Sequence, residues 1–280
     1  AHFTDVHIQP EKGAKAGLAE ALEHAQSLDD PPALIVTGGD AIMDAFAADR
    51  VRTQTQWDLW TAVLKDHCSL PVLHTIGNHD IWGWDKSSSS TTGDEPKWGK
   101  AWAIEAFDIP GRYYHRDQAG WRFIILDSVR PDPDGSGYLA FLDDQQYDWL
   151  AATLRETPAD TPVCIVSHIP IITVVAQIYN DTRADDRNTT LPGSWVHLDA
   201  LRLKDLFAKH SNVKLCLSGH MHRVDHCRLN GVGYICDGAV SGSWWNGDNY
   251  ECEEGYGLID LYEDGAYRHQ YVPYHWTPRA

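Results

Sequence analysis

Short apolar runs alternate with longer amphipathic segments through most of this chain, and this alternation constrains the fold more than any other feature. Five runs resemble buried strands: Ala33–Thr37, Leu70–Ile76, Arg122–Leu126, Val163–Val166 and Val213–Leu217. Four segments have apolar residues at helical spacing: Ala14–Leu28, Gln54–Lys65, Asp143–Arg155 and Leu198–His210. Strands and helices in this order predict a largely parallel sheet with helices outside it.

The C-terminal part of the chain has a different pattern. Asn230-Gly231 and Glu263-Asp264-Gly265 each separate two strand-like segments, which predicts two hairpins. We therefore expect one domain, residues 1–280, in which a parallel half precedes an antiparallel half and two sheets pack together. Residues 82–115 and 172–195 interrupt the order just after polar motifs, and we expect both to cover the functional site.

Charge and apolar content exclude two classes of partner. The formal net charge of −17 makes long-range attraction of a nucleic acid polymer unfavourable. No apolar run approaches the roughly 20 residues of a membrane helix.

The chain begins inside a strand-like segment, so an earlier N-terminal signal stays open. A disulfide between Cys227 and Cys236 also stays open, since a four-residue hairpin loop would place them opposite each other.

Five polar motifs follow the ends of apolar runs, and their side chains are imidazoles, carboxylates and an amide. They are Asp5-Val6-His7, Gly39-Asp40, Gly77-Asn78-His79-Asp80, Ser167-His168 and Gly219-His220-Met221-His222. Residues just past the carboxyl ends of strands converge in one crevice of an open α/β sheet. Asp5 and His7 are two residues apart, as are His220 and His222, so the two side chains of each pair point to the same side of an extended segment. The motifs therefore indicate a site for two metal ions and hydrolysis of a phosphate ester.

This ordered set of motifs, spanning residues 5–222, resembles that of the calcineurin-like metallophosphoesterase superfamily. The resemblance implies an α/β/β/α sandwich, with two mixed sheets between flanking helices and the site at one edge of the sheets. It also implies that one metal ion is held by Asp5, His7, Asp40 and His222. The other ion would be held by Asp40, Asn78, His168 and His220, so that Asp40 bridges the two.

The resemblance assigns His79 to the leaving group rather than to a metal, and places Asn78 and His79 at the substrate. Two metal ions can share a hydroxide that attacks phosphorus, and His79 can protonate the leaving oxygen. Because imidazoles dominate the ligand set, we expect iron, manganese or zinc. Many family members carry Gly-Asp-x-x-Asp, whose last Asp orients the histidine, but Met43 occupies that position here. Asp44 or Asp80 is then expected to orient His79.

The expected function is hydrolysis of a small phosphorylated substrate, a phosphomonoester or a phosphodiester, including a cyclic nucleotide. Trp244 and Trp245, in Ser241–Gly247, are candidate substrate-binding residues for a flat group such as a nucleobase. A similar pattern in exported bacterial members favours an exported protein over a cytoplasmic one. A non-catalytic binding protein is less consistent with intact ligands at every motif. A hydrolase of C–N bonds would have its H-x-H near the first strand, not at His220.

Overall fold

The computed structural model describes residues 1–134, 137–179 and 187–278. Two large sheets form the centre of the described chain. The first sheet runs in the order β13-β12-β1-β2-β3, where β1 is His2–Phe3, β2 Ile35–Thr37, β3 Val72–Leu73, β12 Gly255–Leu261 and β13 Tyr267–Pro273. The second runs in the order β10-β11-β9-β8-β5-β4, where β4 is Tyr114–Gln118, β5 Trp121–Leu126, β8 Val163–Ser167, β9 Val213–Ser218, β10 Asp225–Leu229 and β11 Val232–Cys236. A separate hairpin joins β6, Val129–Pro131, to β7, Tyr138–Ala140.

The described chain forms seven helices, and the five longer ones pack on the outer faces of the sheets. The seven helices are α1 Ala14–Gln26, α2 Arg50–His67, α3 Lys86–Ser89, α4 Ala101–Phe107, α5 Asp144–Glu156, α6 Val175–Ile178 and α7 Ala200–Phe207. One apolar cluster joins α1, α2 and α4 to the first sheet, and another joins α5 and α7 to the second. A third cluster, which includes Val36, Phe123 and Leu215, fills the space between the sheets. The predicted four-layer α/β/β/α sandwich is therefore confirmed.

Both hairpins were expected in one antiparallel half, and this expectation was wrong. The β10–β11 hairpin extends the second sheet, because β11 pairs in parallel with β9. The β12–β13 hairpin extends the first sheet, because β12 pairs antiparallel with β1. All five residues of β11 are buried, as expected for a strand covered on both faces. The C-terminal segments thus complete both sheets.

The predicted helices are confirmed, with shifted ends. Helix α2 begins earlier than its apolar pattern, because the Asp49 side chain accepts a hydrogen bond from the Arg52 backbone N–H at 2.8 Å and caps the helix. No described helix is long and apolar enough to cross a membrane. Cys227 pairs with Tyr234 rather than with Cys236, because the hairpin loop has two residues, Asn230 and Gly231, and not four. Both cysteines are free.

Candidate metal centre

The five motifs converge at one edge of the two sheets. Backbone hydrogen bonds join the loops that follow β1 and β2, from Asp5 N to Gly39 O at 3.1 Å and from His7 N to Asp40 O at 3.0 Å. Five motif residues have left-handed backbone angles, with φ between 49° and 69°: Asp5, His7, Asp40, His220 and His222. Such angles are uncommon outside glycine and cluster at functional sites. These turns aim side chains from separate strands at one point.

A first cluster joins residues of the first and last motifs. His222 Nε2 lies 3.3 Å from Asp5 Oδ1 and 3.1 Å from His7 Nε2. His7 Nε2 also lies 3.8 Å from Asp40 Oδ2. Asp5, His7 and His222 are buried and could together hold a metal ion. The cluster contains the four residues expected at one ion.

A second cluster surrounds His168. Its Nε2 lies 3.0 Å from Asn78 Oδ1, 3.3 Å from Asp40 Oδ2 and 3.2 Å from His220 Nδ1. These are the four residues expected at the other ion. Asp40 belongs to both clusters, with its Oδ2 facing an imidazole of each.

Two imidazole rings, those of His168 and His222, form hydrogen bonds on the side that faces away from the clusters. These bonds show whether the rings could bind cations in the clusters. His168 Nδ1 lies 2.8 Å from the Gly38 carbonyl oxygen, and His222 Nδ1 lies 2.8 Å from that of Gly242. A carbonyl only accepts, so each Nδ1 carries a proton, and in the neutral ring each Nε2 presents a lone pair to the cluster. Asp5 Oδ1 is buried with no hydrogen-bond partner in the described chain. A cation in each cluster satisfies these lone pairs together, whereas a proton satisfies one contact at a time.

Burial and charge act differently on the imidazoles of the site. Burial would lower the pKa of His168, but Asp40 and Asp5 outweigh it and raise that pKa to about 9. Burial, together with the neighbouring His168, lowers the pKa of His220 to about 3. Burial likewise holds the pKa of His7 well below its usual range. Burial would raise the pKa of Asp40, but His168 and His79 outweigh it and hold that pKa well below the ordinary value. Metal ligands are neutral imidazoles and ionised carboxylates, so a metal ion held by His168 would displace the proton of that ring.

His79 lies beside the first cluster. Its half-buried ring meets the His7 ring edge-on, with 4.7 Å between centroids. Its backbone N–H donates to Asp40 Oδ1 at 2.8 Å, which fixes the loop but leaves the ring unanchored. Nδ1 is buried and has no hydrogen-bond partner among the residues described.

Neither carboxylate expected to orient His79 forms a hydrogen bond with its ring. Asp44 Oδ1 accepts from the Ala47 backbone N–H at 3.2 Å, so Asp44 stabilises its own turn. The Met43 sulfur accepts from the Gln9 side chain at 3.3 Å. Both orienting assignments therefore need correction, because Asp44 is engaged by local backbone and Asp80 by the loop described next.

Asp80 holds the backbone of the Asp40 loop. Its carboxylate accepts from the N–H groups of Gly77 at 2.8 Å, Asp40 at 2.9 Å, Ala41 at 2.9 Å and Ile42 at 3.3 Å. Burial, together with the charge of Asp40, raises the pKa of Asp80 to about 7. The carboxylate thus positions Asp40 rather than His79.

The two tryptophans of the C-terminal motif differ in their surroundings. Trp244 is half-buried, and its ring lies 4.6 Å from that of His222 and 5.9 Å from that of His7. Trp245 is 1% exposed, and its indole N–H donates to the His7 carbonyl at 3.1 Å. Substrate contact by Trp245 therefore needs correction, because burial leaves it a supporting role under the His7 loop.

Three aromatic residues that no sequence motif marks form a line of ring contacts from the second cluster: Tyr138, Phe46 and Trp84. The Tyr138 ring meets the His220 ring edge-on at 6.1 Å. Burial raises the pKa of Tyr138, as do Asp40 and Asp5, so its hydroxyl stays protonated. No motif marks this residue, because it reaches the site from the separate β6–β7 hairpin.

The two expected insertions differ from simple surface loops. Residues 82–115 contain α3, α4 and the start of β4, and Trp102 and Phe107 are part of the core. Residues 172–195 begin against β10, where the Val174 N–H donates to Asp225 at 2.7 Å. Residues 180–186 of this segment lie outside the described chain, so its covering role stays a prediction.

A sequence profile of the calcineurin-like phosphoesterase family matches residues 1–224. The chain belongs to this family. It is a hydrolase of phosphoric esters, and its clustered ligands suit two metal ions. A probable cyclic nucleotide phosphodiesterase of Synechococcus sp. is 25% identical over 290 residues, covering 99% of this chain and 91% of that relative.

Two solved structures share the fold at low sequence identity. A dimetal phosphatase from Danio rerio superposes with a TM-score of 0.60 at 17% identity, covering 92% of this chain and 91% of that one. The phosphopantetheinyl hydrolase of Mycobacterium tuberculosis superposes with a TM-score of 0.51 at 14% identity, covering 85% of this chain and 88% of that one. At these identities the likeness concerns the fold alone.

Proposed function

We propose that this chain is a binuclear metal-dependent phosphodiesterase acting on a small phosphodiester that carries a flat organic group. Cyclic nucleotides are the first substrate class to test. The observation that carries the proposal is Asp40, whose Oδ2 faces His7 Nε2 at 3.8 Å and His168 Nε2 at 3.3 Å. A carboxylate shared in this way suits two cations about 3.5–4 Å apart.

The donor set selects the kind of metal. Asp5, His7 and His222 would hold one ion with Asp40, and Asn78, His168 and His220 would hold the other with Asp40. Imidazole nitrogens dominate this set, which favours iron, manganese or zinc over calcium. When bound, the two ions supply a nucleophile from water at neutral pH and neutralise charge on the phosphoryl oxygens.

The protein itself supplies charge balance and a proton donor. Among the described residues, Asp5 and Asp40 are the carboxylates that would face the two cations, so the centre would attract phosphate although the chain carries a net charge of −17. The half-buried His79 ring beside His7 can donate a proton to the departing ester oxygen. Its Nδ1 has no hydrogen-bond partner among the described residues, which leaves the ring free to respond to substrate.

Trp244 supports a substrate with a flat group. Its half-buried ring lies beside His222, so a planar substituent on phosphorus can stack on it while the phosphate contacts the metal centre. The printed name of the Synechococcus relative, a probable cyclic nucleotide phosphodiesterase, agrees with a nucleoside group at this position.

Activity of the manganese-, iron- and zinc-loaded protein against phosphomonoesters, open phosphodiesters and cyclic nucleotides tests the proposal. His79→Ala should retain both metal ions and lose about 10²–10⁴-fold in turnover, the usual range for a general acid. Asp40→Asn should lose metal as well as activity. Hydrolysis of monoesters alone by the wild-type protein would overturn the diesterase assignment, and loss of metal from His79→Ala would refute its role as proton donor.

A further inference from the structure

Three aromatic side chains form a wall beside the second cluster, and the proposed chemistry uses none of them. This aromatic wall consists of Phe46, Trp84 and Tyr138, all half-buried. The Phe46 ring meets Trp84 at 6.1 Å and Tyr138 at 6.0 Å between centroids, edge-on in both cases. Tyr138 then meets the His220 ring at 6.1 Å. The wall is therefore a line of ring contacts that begins at His220.

Backbone hydrogen bonds and a lysine contact hold the segments that carry Phe46 and Trp84, and Tyr138 pairs with Pro131 in the β6–β7 hairpin. The Gly83 N–H donates to the Ala45 carbonyl at 3.0 Å, and the Asp85 N–H donates to the Phe46 carbonyl at 3.1 Å. The Lys100 ammonium lies 5.3 Å from the Trp84 ring centroid and donates to Asp127 at 2.6 Å. A surface held in this way loses little conformational freedom when a ligand binds to it.

Each cluster thus has its own aromatic neighbour. Trp244 contacts His222 and His7 in the first cluster, and Tyr138 contacts His220 in the second. His79 lies with the first cluster, against His7. The leaving group therefore belongs beside Trp244, and the aromatic wall is left for a different part of the substrate.

We infer that the aromatic wall binds the second organic group of an open-chain phosphodiester, with Tyr138 as the residue that sets this specificity. The inference rests on the proposed phosphodiesterase function. Hydrolysis breaks the P–O bond to the leaving group and forms a P–O bond to the oxygen of water. The leaving group departs as an alcohol, and the monoester product keeps its organic group on the wall.

The geometry distinguishes three substrate classes. A phosphomonoester has one organic group and cannot contact both aromatic neighbours. In a cyclic nucleotide both ester oxygens belong to one sugar, so the single base that stacks on Trp244 leaves the wall without a second group to bind. An open diester has two separate groups, one for each surface. Open diesters should therefore depend on Tyr138 more than the other two classes do.

The test compares Tyr138→Ala with wild-type protein on bis(p-nitrophenyl) phosphate, p-nitrophenyl phosphate and adenosine cyclic monophosphate. For each substrate, kcat/KM of the variant is divided by that of the wild type, which removes differences in intrinsic reactivity. This quotient should be about tenfold lower for the open diester than for the monoester and the cyclic nucleotide, because the loss of one aromatic contact has about that effect. Most of the change should lie in KM. Tyr138→Phe keeps the aromatic ring, so its quotient for the open diester should return to that of the other two substrates. Tyr147→Ala is the control, because this half-buried tyrosine lies on α5 under Arg202.

Binding provides a readout without turnover. Calorimetry on the manganese-loaded protein would compare diphenylphosphinate, which has two aryl groups on phosphorus, with phenylphosphonate, which has one. Tyr138→Ala should weaken the first about tenfold more than the second. Phe46→Leu tests the same wall should Tyr138→Ala fold poorly, and manganese content is measured for every variant.

Two negative outcomes have different meanings. An equal loss for all three substrates, or for both calorimetric probes, would overturn the role of the wall and leave the phosphodiesterase function standing. A wild-type protein that holds two metal ions yet hydrolyses no phosphodiester would overturn the proposed function, and the inference with it.

Discussion

Gly77→Ala should disable the site through a single methyl group. A Cβ added at Gly77 would lie 2.1 Å from Asp40 Oδ1, 2.3 Å from Asp40 N and 2.8 Å from Asp40 Cγ. Ordinary contact requires about 3.5 Å, so the Asp40 carboxylate must retreat by more than about 1 Å. Asp80 holds the Asp40 loop through four backbone N–H groups and resists that movement. The shared carboxylate is therefore displaced from one or both clusters.

The effect of this displacement can be estimated and measured. A misplacement of about 1 Å at a catalytic centre lowers turnover about 100-fold, and overpacking destabilises a fold by roughly 1–3 kcal/mol. Steady-state kinetics and metal analysis of Gly77→Ala should show that loss together with fewer than two bound ions. Gly111→Ala is the matched control, because its Cβ meets only the Tyr113 carbonyl at 3.9 Å. Wild-type turnover with two ions in Gly77→Ala would refute the reasoning.

Three further predictions concern stability. Trp245→Phe removes the indole donor to the buried His7 carbonyl and should lower the free energy of unfolding by about 1–3 kcal/mol in urea titrations, whereas Trp244→Phe should change it by less than about 0.5 kcal/mol. Burial lowers the pKa of His74 to about 4, so the unfolded chain takes up this proton first and stability is lost as pH falls from about 6.5 to about 4. Between pH 7 and about pH 5 the free energy of unfolding should fall by about 2 kcal/mol through this group. His74→Phe keeps the stacking on Phe107 and should lack this pH-dependent loss. An equal dependence of the free energy of unfolding on pH in both proteins would contradict the assignment. Chelation with EDTA should lower the thermal midpoint, because metal binds only the folded clusters. An unchanged midpoint would show that the clusters hold no ion.

The sequence predicts that the residues of the metal clusters lie close together, because these residues follow the ends of strands. Asp40, Asn78, His168 and His220 each follow a strand that the apolar pattern indicates, and Asp5 follows the strand-like start of the chain; the carboxyl ends of these strands meet at one edge. Strand ends therefore explain why these side chains meet, whereas their assignment to two metal ions came from the resemblance to the family.

The surroundings of the clusters depend on packing that local sequence does not encode. Trp244 and Trp245 are adjacent and both have left-handed backbone angles, with φ of 52° and 67°, yet one borders the site and the other is buried. Tyr138 comes from a short hairpin with no motif. Asp44 and Asp80 were expected to orient His79, but backbone N–H groups compete for both carboxylates. Tertiary contacts decide each of these cases.

The most direct test of the central claim is the anomalous scattering of manganese in crystals of the wild-type protein. Two peaks should lie about 3.5–4 Å apart, with the Asp40 carboxylate contacting both. One ion should contact Asp5, His7 and His222, and the other Asn78, His168 and His220. A single peak, or a pair of peaks that does not share Asp40, would contradict the binuclear assignment.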